Sequence, residues 1–126
     1  MVACTNLSKR FGEFVAVDGL DLEVCQGTVA ALLGQNGAGN STTIQMLAGM
    51  LSPTSGSIKV AGLNVLESPV EGKRKIGVVP EKLALFNELT VEEHLVLSGD
   101  ILGLSPDETD SRTDYLLAFL SLEHGR

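Results

Sequence analysis

GQNGAGNST, residues 34 to 42, falls one letter short of a phosphate-binding loop. The pattern that cradles nucleotide phosphates is G-x-x-x-x-G-K-[ST]. Gly34, Gly39 and Ser41 keep their places, and Asn40 stands where the lysine belongs. Phosphate oxygens want hydrogen-bond donors, and the stretch is rich in backbone ones. Glycines at 34, 37 and 39 remove side chains and permit positive φ, so the amides running through Gln35, Asn36 and Ala38 can turn inward. A helix beginning near Ser41 would aim its positive end at the same point. Ser41 offers a hydroxyl to Mg²⁺, and Thr42 adds a donor from the first turn. Asn40 cannot bring the charge that lysine carries to the β and γ phosphates. The loss of a charged hydrogen bond is worth about 1.5 to 3 kcal/mol, or roughly one to two decades in affinity. Hydrolysis should suffer more, because the same charge offsets what develops in the transition state. Taken alone, a glycine-rich turn between a strand and a helix is also consistent with a tight connection and nothing more.

The flanking residues supply the context that the loop needs. VACTNL, FVAVDGLDLEV and TVAALLG are short alternating or apolar runs broken by Gly, Asp or Asn, and they predict strands. STTIQMLAGM then changes to helical spacing, with Ile44, Leu47 and Ala48 on one face and Gly49 placed to end it. Pro53 and Gly56 predict a turn ahead of an alternating strand from Ser57 to Ala61. A short basic helical stretch precedes IGVVP, an apolar run suited to a buried strand. Two capping boxes follow. Thr90-Val91-Glu92-Glu93 opens a helix that should end near Gly103, and Ser105-Pro106-Asp107-Glu108 opens another running to about Leu122 and burying Leu116, Leu117 and Leu120.

Composition narrows the function classes. The 126 residues, 44% hydrophobic with 14 glycines, suit one globular domain. A formal charge of −7 opposes a nucleic-acid or anionic-membrane surface, which needs a clustered basic face. The one dense basic run, Lys73-Arg74-Lys75, reads as a solvated helix end. Cys4 and Cys25 lie in strand-like stretches without metal-ligand spacing and are expected to be reduced core residues. No uninterrupted apolar run approaches the roughly 18 residues of a membrane helix, so a cytoplasmic chain is expected, reaching a membrane only through another subunit.

With these segments in order, the chain resembles the N-terminal half of the ATP-binding domain of ABC transporters. NLSKRFGEFVAVDGLDLEV is similar to that family's opening hairpin and GTVAALLGQNGAGNSTT to its Walker A segment. LAGMLSPTSGSIKVAGLNV is similar to the stretch that follows, and KIGVVPEKLALFNELTVEEHL to its Q-loop region. The resemblance spans essentially all 126 residues. It implies an α/β P-loop NTPase fold of the ABC ATPase type, with ATP and Mg²⁺ as cofactors. It implies two partners as well: a transmembrane transporter subunit at the inner membrane and a second ATP-binding subunit. Phe11 matches the aromatic that stacks on adenine, a role its flat face suits, with core packing as its alternative. Glu81 takes the Q-loop position, where the family usually has glutamine contacting Mg²⁺, and a carboxylate is itself a hard oxygen ligand. IGVVPE followed by LTVEEHL looks most like bacterial exporters of the ABC-2 type.

The same resemblance sets limits. Leu97-Ser98-Gly99-Asp100 partly matches the LSGGQ signature but comes too soon after Glu81, and it reads as ordinary helix. His94 reads as a packing or surface residue of the capped helix. The signature, the apolar strand ending in Asp-Glu, and the switch histidine would all fall beyond Arg126. Residues 1–126 are therefore expected to form the N-terminal part of a nucleotide-binding domain, binding Mg-ATP weakly and unable alone to turn it over. A buried strand edge such as VAALL would be exposed, and stability would be marginal. The competing expectation is a non-catalytic remnant or regulatory module that docks on a cassette or membrane partner. A kinase or GTPase of the P-loop class is disfavoured by the lack of an N-K-x-D stretch.

Overall fold

Alternating side chains in the first 24 residues build a long antiparallel hairpin, β1 (Val2–Phe11) and β2 (Phe14–Val24), closed by a tight turn at Gly12-Glu13 with Phe11 opposite Phe14. The computed structural model describes residues 1–80 and 85–125. The chain divides into two units, Met1–Val78 and Val79–Arg126.

In the first unit, β3 (Ser55–Val60) pairs with the other edge of β1, and β4 (Leu63–Asn64) adds a short rim, giving the antiparallel order β2-β1-β3-β4. Cys4 faces Leu22 on one side and Ile58 on the other, so the apolar positions of three strands fall in register. β1 bulges at Asn6, whose φ is 49°, and the backbone of Gly56 packs directly against it. A methyl group at Gly56 would lie 2.4 Å from the Asn6 carbonyl oxygen, and φ there is 95°, so this position requires glycine. The Asn6 amide donates to Asp21 Oδ1 at 2.7 Å, and the Gly19 amide donates to Ser8 Oγ at 2.8 Å, which satisfies groups that the bulge takes out of the ladder.

One face of this sheet carries α1 (Asn40–Leu47). Leu7, Met46 and Ile58 are fully buried in a cluster with Cys4, Val17, Val60 and Val65. Helix α1 ends in a Schellman arrangement: the Gly49 amide donates to the Met46 carbonyl and the Met50 amide to the Gln45 carbonyl. The helix presents Thr43 and Met46 to the sheet, buries Ala48 and packs Leu47 against the core as expected, and leaves Ile44 half exposed, which corrects the expected face at Ile44 alone. Periodicity gives a spacing, but the angle at which Gly39 launches the helix decides which residues point inward. Helix α2 (Pro69–Lys73) is short, and Lys73, Arg74 and Lys75 are exposed at its end, as the solvated reading expected.

Two expected strands do not form. Residues 28–35 have no regular structure, and Val29 and Leu33 are exposed. The same holds for IGVVP, where Val79 is exposed and only Ile76 is half buried. A strand is a property of a pair, and among the described residues these runs have no ladder partner. Cys25, expected in the core, is exposed just after the end of β2, whereas Cys4 is buried.

The second unit is a helical pair. Helix α3 (Val91–Leu102) and helix α4 (Pro106–Phe119) each begin with a complete capping box, at Thr90/Glu93 and Ser105/Glu108, and α3 ends at Gly103 with φ 72°. The helices approach closely at Gly99, where a methyl group would lie 2.5 Å from Thr109 Oγ1. Helix α4 buries Thr109, Thr113 and Leu117 and stops at Phe119. Ser121 takes φ 56°, and the Leu122 amide closes on the Leu117 carbonyl. That turn leaves Leu120 exposed and Leu116 only partly buried, so the expected burial holds for Leu117 alone. Leu97-Ser98-Gly99-Asp100 lies within α3, and no helix among the described residues is long and apolar enough to cross a membrane.

Candidate functional site

Gly34 to Thr42 wrap a cavity of about 330 Å³ at the N-terminal end of α1, with Phe14 and Ala16 of β2 completing its wall. Every loop residue expected from the sequence to meet phosphate lines it. The local conformation follows from the glycines. Gly37 and Gly39 take φ 85° and 88°, and the Ala38 amide donates to the Gln35 carbonyl at 3.0 Å, closing a turn that redirects the chain into the helix. Gly39 is the N-cap of α1 in the left-handed conformation and presses on β2, where a methyl group would lie 2.3 Å from the Ala16 carbonyl oxygen. The first helical bond runs from the Thr43 amide to the Gly39 carbonyl, 2.8 Å long.

Among the described residues no side chain caps α1, and its first turn has no acidic residue. The amides of Asn40, Ser41 and Thr42 therefore precede the intrahelical ladder, with the helix dipole behind them. Among the described residues, the cavity wall carries no charged side chain. Asn40 folds its carboxamide back over the start of the loop: a methyl group at Gly34 would come within 2.9 Å of its Nδ2 and 3.1 Å of its Oδ1.

The arrangement is an uncharged, donor-rich bowl that can take an anion through main-chain hydrogen bonds. Ser41 and Thr42 add hydroxyls to the rim. Hydroxyl oxygen is a hard ligand of the sort Mg²⁺ takes while keeping several waters and phosphate oxygens, so Ser41 fits that ion. Glu81, the other expected magnesium ligand, lies outside the described residues.

Phe11 is not part of the cavity wall; Phe14, across the hairpin from it, is. Phe11 is half exposed, with the Lys9 ammonium 5.1 Å from its ring centroid. Phe14 and Ala16 escaped the sequence reading. Their alternation on β2 puts both on one face, but only the packing of Gly39 against β2 tells which face the loop meets.

His94 belongs to the second unit. Its Nε2 accepts from the Phe86 amide at 2.9 Å, its Nδ1 lies 2.9 Å from the Thr90 carbonyl oxygen, and its ring stacks on Phe86. The acceptor role of Nε2 places the proton on Nδ1. This is the packing role expected from the sequence.

The model of the ABC transporter family matches residues 17–126. The linearmycin resistance ATP-binding protein LnrL of Bacillus subtilis is 36% identical over 122 residues, which cover 97% of this chain and 39% of that protein. The sulfate/thiosulfate import ATP-binding protein CysA of Nephroselmis olivacea is 38% identical over 119 residues, covering 94% and 34%. This chain thus spans between a third and two fifths of the length of these two relatives. A solved structure described as the ATP binding subunit of an ABC transporter superposes with a TM-score of 0.86 at 34% identity, over 99% of this chain and 52% of that one.

Proposed function

We propose, from the premise that this chain belongs to the ABC transporter family and has its P-loop ATPase fold, that residues 1–126 are the N-terminal part of a nucleotide-binding domain that holds ATP with Mg²⁺. The observation that carries the reading is the ring of amides and glycines at residues 34–42, closed around a cavity at an uncapped helix N-terminus. In this reading the β phosphate sits among the main-chain amides from Gly37 to Thr42. Adenine extends toward the exposed Phe11, and Ser41 takes the metal. Magnesium, when bound, would neutralise charge on the β and γ phosphates.

Asn40 weakens the grip without abolishing it, because hydrogen bonds from the main chain do not depend on the side chain at position 40. Hydrolysis is impaired further, since among the described residues nothing on the cavity wall replaces the lysine charge as the transition state develops. The domain would act on a membrane only through a transmembrane subunit and would pair with a second ATP-binding subunit, at the cytoplasmic face. An exporter-like role is supported by IGVVPE and LTVEEHL and by the relative named for linearmycin resistance. Asn40 itself favours a second reading, in which the chain is a regulatory module that docks on a partner cassette and does not turn over ATP.

Calorimetric titration of Mg-ATP into the chain and into Asn40→Lys tests the proposal. The lysine variant is expected to bind roughly 10- to 100-fold more tightly, the worth of one charged hydrogen bond. Equal affinities would refute the account of position 40, and absence of heat in both would refute nucleotide binding at this loop.

A further inference from the structure

We infer that, in the absence of magnesium, this site takes a nucleoside diphosphate at least as tightly as the triphosphate, with Asn40 as the residue that sets the preference. The inference rests on the reading that residues 34–42 hold nucleotide phosphates, and it adds a rule for how many.

The argument begins with the charge on the wall. Among the described residues, Phe14, Ala16 and the nine loop residues that line the cavity have no ionised side chain. The positive potential there comes from main-chain amides and the N-terminal end of α1, equivalent to about half an elementary charge and confined to the first turn. That is enough to favour one phosphate seated against the amides. A diphosphate meets the requirement with its terminal group in the bowl. A triphosphate brings one more negative charge, which must lie beyond the amides.

A lysine at position 40 would reach outward to meet that charge. Asn40 does the opposite: its carboxamide is turned back onto Gly34 at the start of the loop, where it is neutral and short. The third phosphate would then trade water for Phe14 and a neutral rim, with no cation to offset the loss. The −7 charge of the chain acts in the same direction, attenuated by salt. Ser41 offers a route back, because a divalent ion on its hydroxyl would be shared with the outer phosphate oxygens.

The test is a set of equilibrium titrations of the intact chain with ADP and ATP, in excess EDTA and then in excess Mg²⁺, with Asn40→Lys as comparator. Inorganic pyrophosphate and tripolyphosphate serve as competitors that carry no base. In EDTA, ADP is expected to bind the unaltered chain as tightly as ATP or more so, and pyrophosphate to compete at least as well as tripolyphosphate. Asn40→Lys should shift the ratio toward ATP by roughly tenfold, the worth of one charge-assisted contact. ATP binding tenfold tighter than ADP in EDTA, with Asn40 in place, would overturn the inference while leaving nucleotide binding intact. Binding of neither nucleotide, with or without magnesium, would overturn both.

Discussion

The carboxamide of Asn40 lies over Gly34, so close that a single methyl group on Gly34 would meet Nδ2 at 2.9 Å and the Cβ of Ala38 at 3.0 Å. The first and seventh residues of the loop are therefore packed together, and the loop's opening is set by the small size of one and the fold-back of the other. Gly34→Ala should push the Asn40 side chain into the cavity. Because φ at Gly34 is not positive, the added methyl brings no left-handed backbone strain, and the tight contact with the Ala38 Cβ should lower the unfolding midpoint modestly. Mg-ATP affinity is expected to fall by roughly fivefold, the scale of one ordinary hydrogen bond. Unchanged affinity in a calorimetric titration would mean that the position of Asn40 has no bearing on the ligand.

Gly39 and Gly37 have nearly the same φ, 88° and 85°, but different surroundings. A methyl group at Gly39 would strike the Ala16 carbonyl at 2.3 Å, whereas at Gly37 it would meet nothing within 4 Å. Gly37→Ala should cost about 1 kcal/mol of stability, from the left-handed backbone alone. Gly39→Ala adds a clash with a strand that cannot move without breaking its ladder, and about 3 kcal/mol is expected. Urea unfolding of the two variants gives the comparison. Equal midpoints would show that the loop is not seated on β2 as described.

The parts of this fold that could be read from the sequence are those whose causes are local. Both capping boxes, the glycine that ends α3 and the β1–β2 hairpin depend on residues within a few positions of one another, and all of them form. TVAALLG and IGVVP failed as strands because pairing is supplied by other chain segments, and periodicity is silent about whether a partner is there. Much the same separates the two halves of the site. Gly34 to Thr42 could be named because phosphate chemistry dictates the loop's own residue types. Phe14 and Ala16 could not, because they enter through the packing of Gly39 on β2. Ile44 was assigned to the wrong face of α1 for that reason also.

Thr90 closes the N-terminus of α3 reciprocally: its Oγ1 accepts from the Glu93 amide at 3.2 Å, and Glu93 Oε2 accepts from the Thr90 amide at 2.7 Å. Its carbonyl also faces His94 Nδ1, a contact that a side-chain deletion leaves in place. Thr90→Ala should therefore lower stability by about 1 kcal/mol, and Thr90→Ser should recover most of it. Helical circular dichroism followed through a urea titration reads both. A loss well above 2 kcal/mol would show that the residue does more than cap the helix.

Cys4 and Cys25 differ in exposure, and that difference sets their reactivity. Cys4 is 4% exposed, and its thiol donates to the Leu20 carbonyl. Burial raises its pKa; the nearby Asp21 carboxylate adds to the rise, and a backbone hydrogen bond at Leu22 works against it. At pH 8, a disulfide reagent should titrate Cys25 quickly and Cys4 slowly, since the thiolate is the attacking species and access is required. In denaturant the two should react alike. The sign for stability follows from the raised folded value: the neutral thiol is the form that the fold favours. Its contribution is complete below the unfolded thiol's pKa of about 8.5 and is lost as pH rises through the folded value. Alkaline urea titrations of the unaltered chain and of Cys4→Ala isolate that term, because the variant should lose stability at neutral pH but show a flatter decline above it. Two equally fast thiols in the native chain would place Cys4 outside the β1–β3 core.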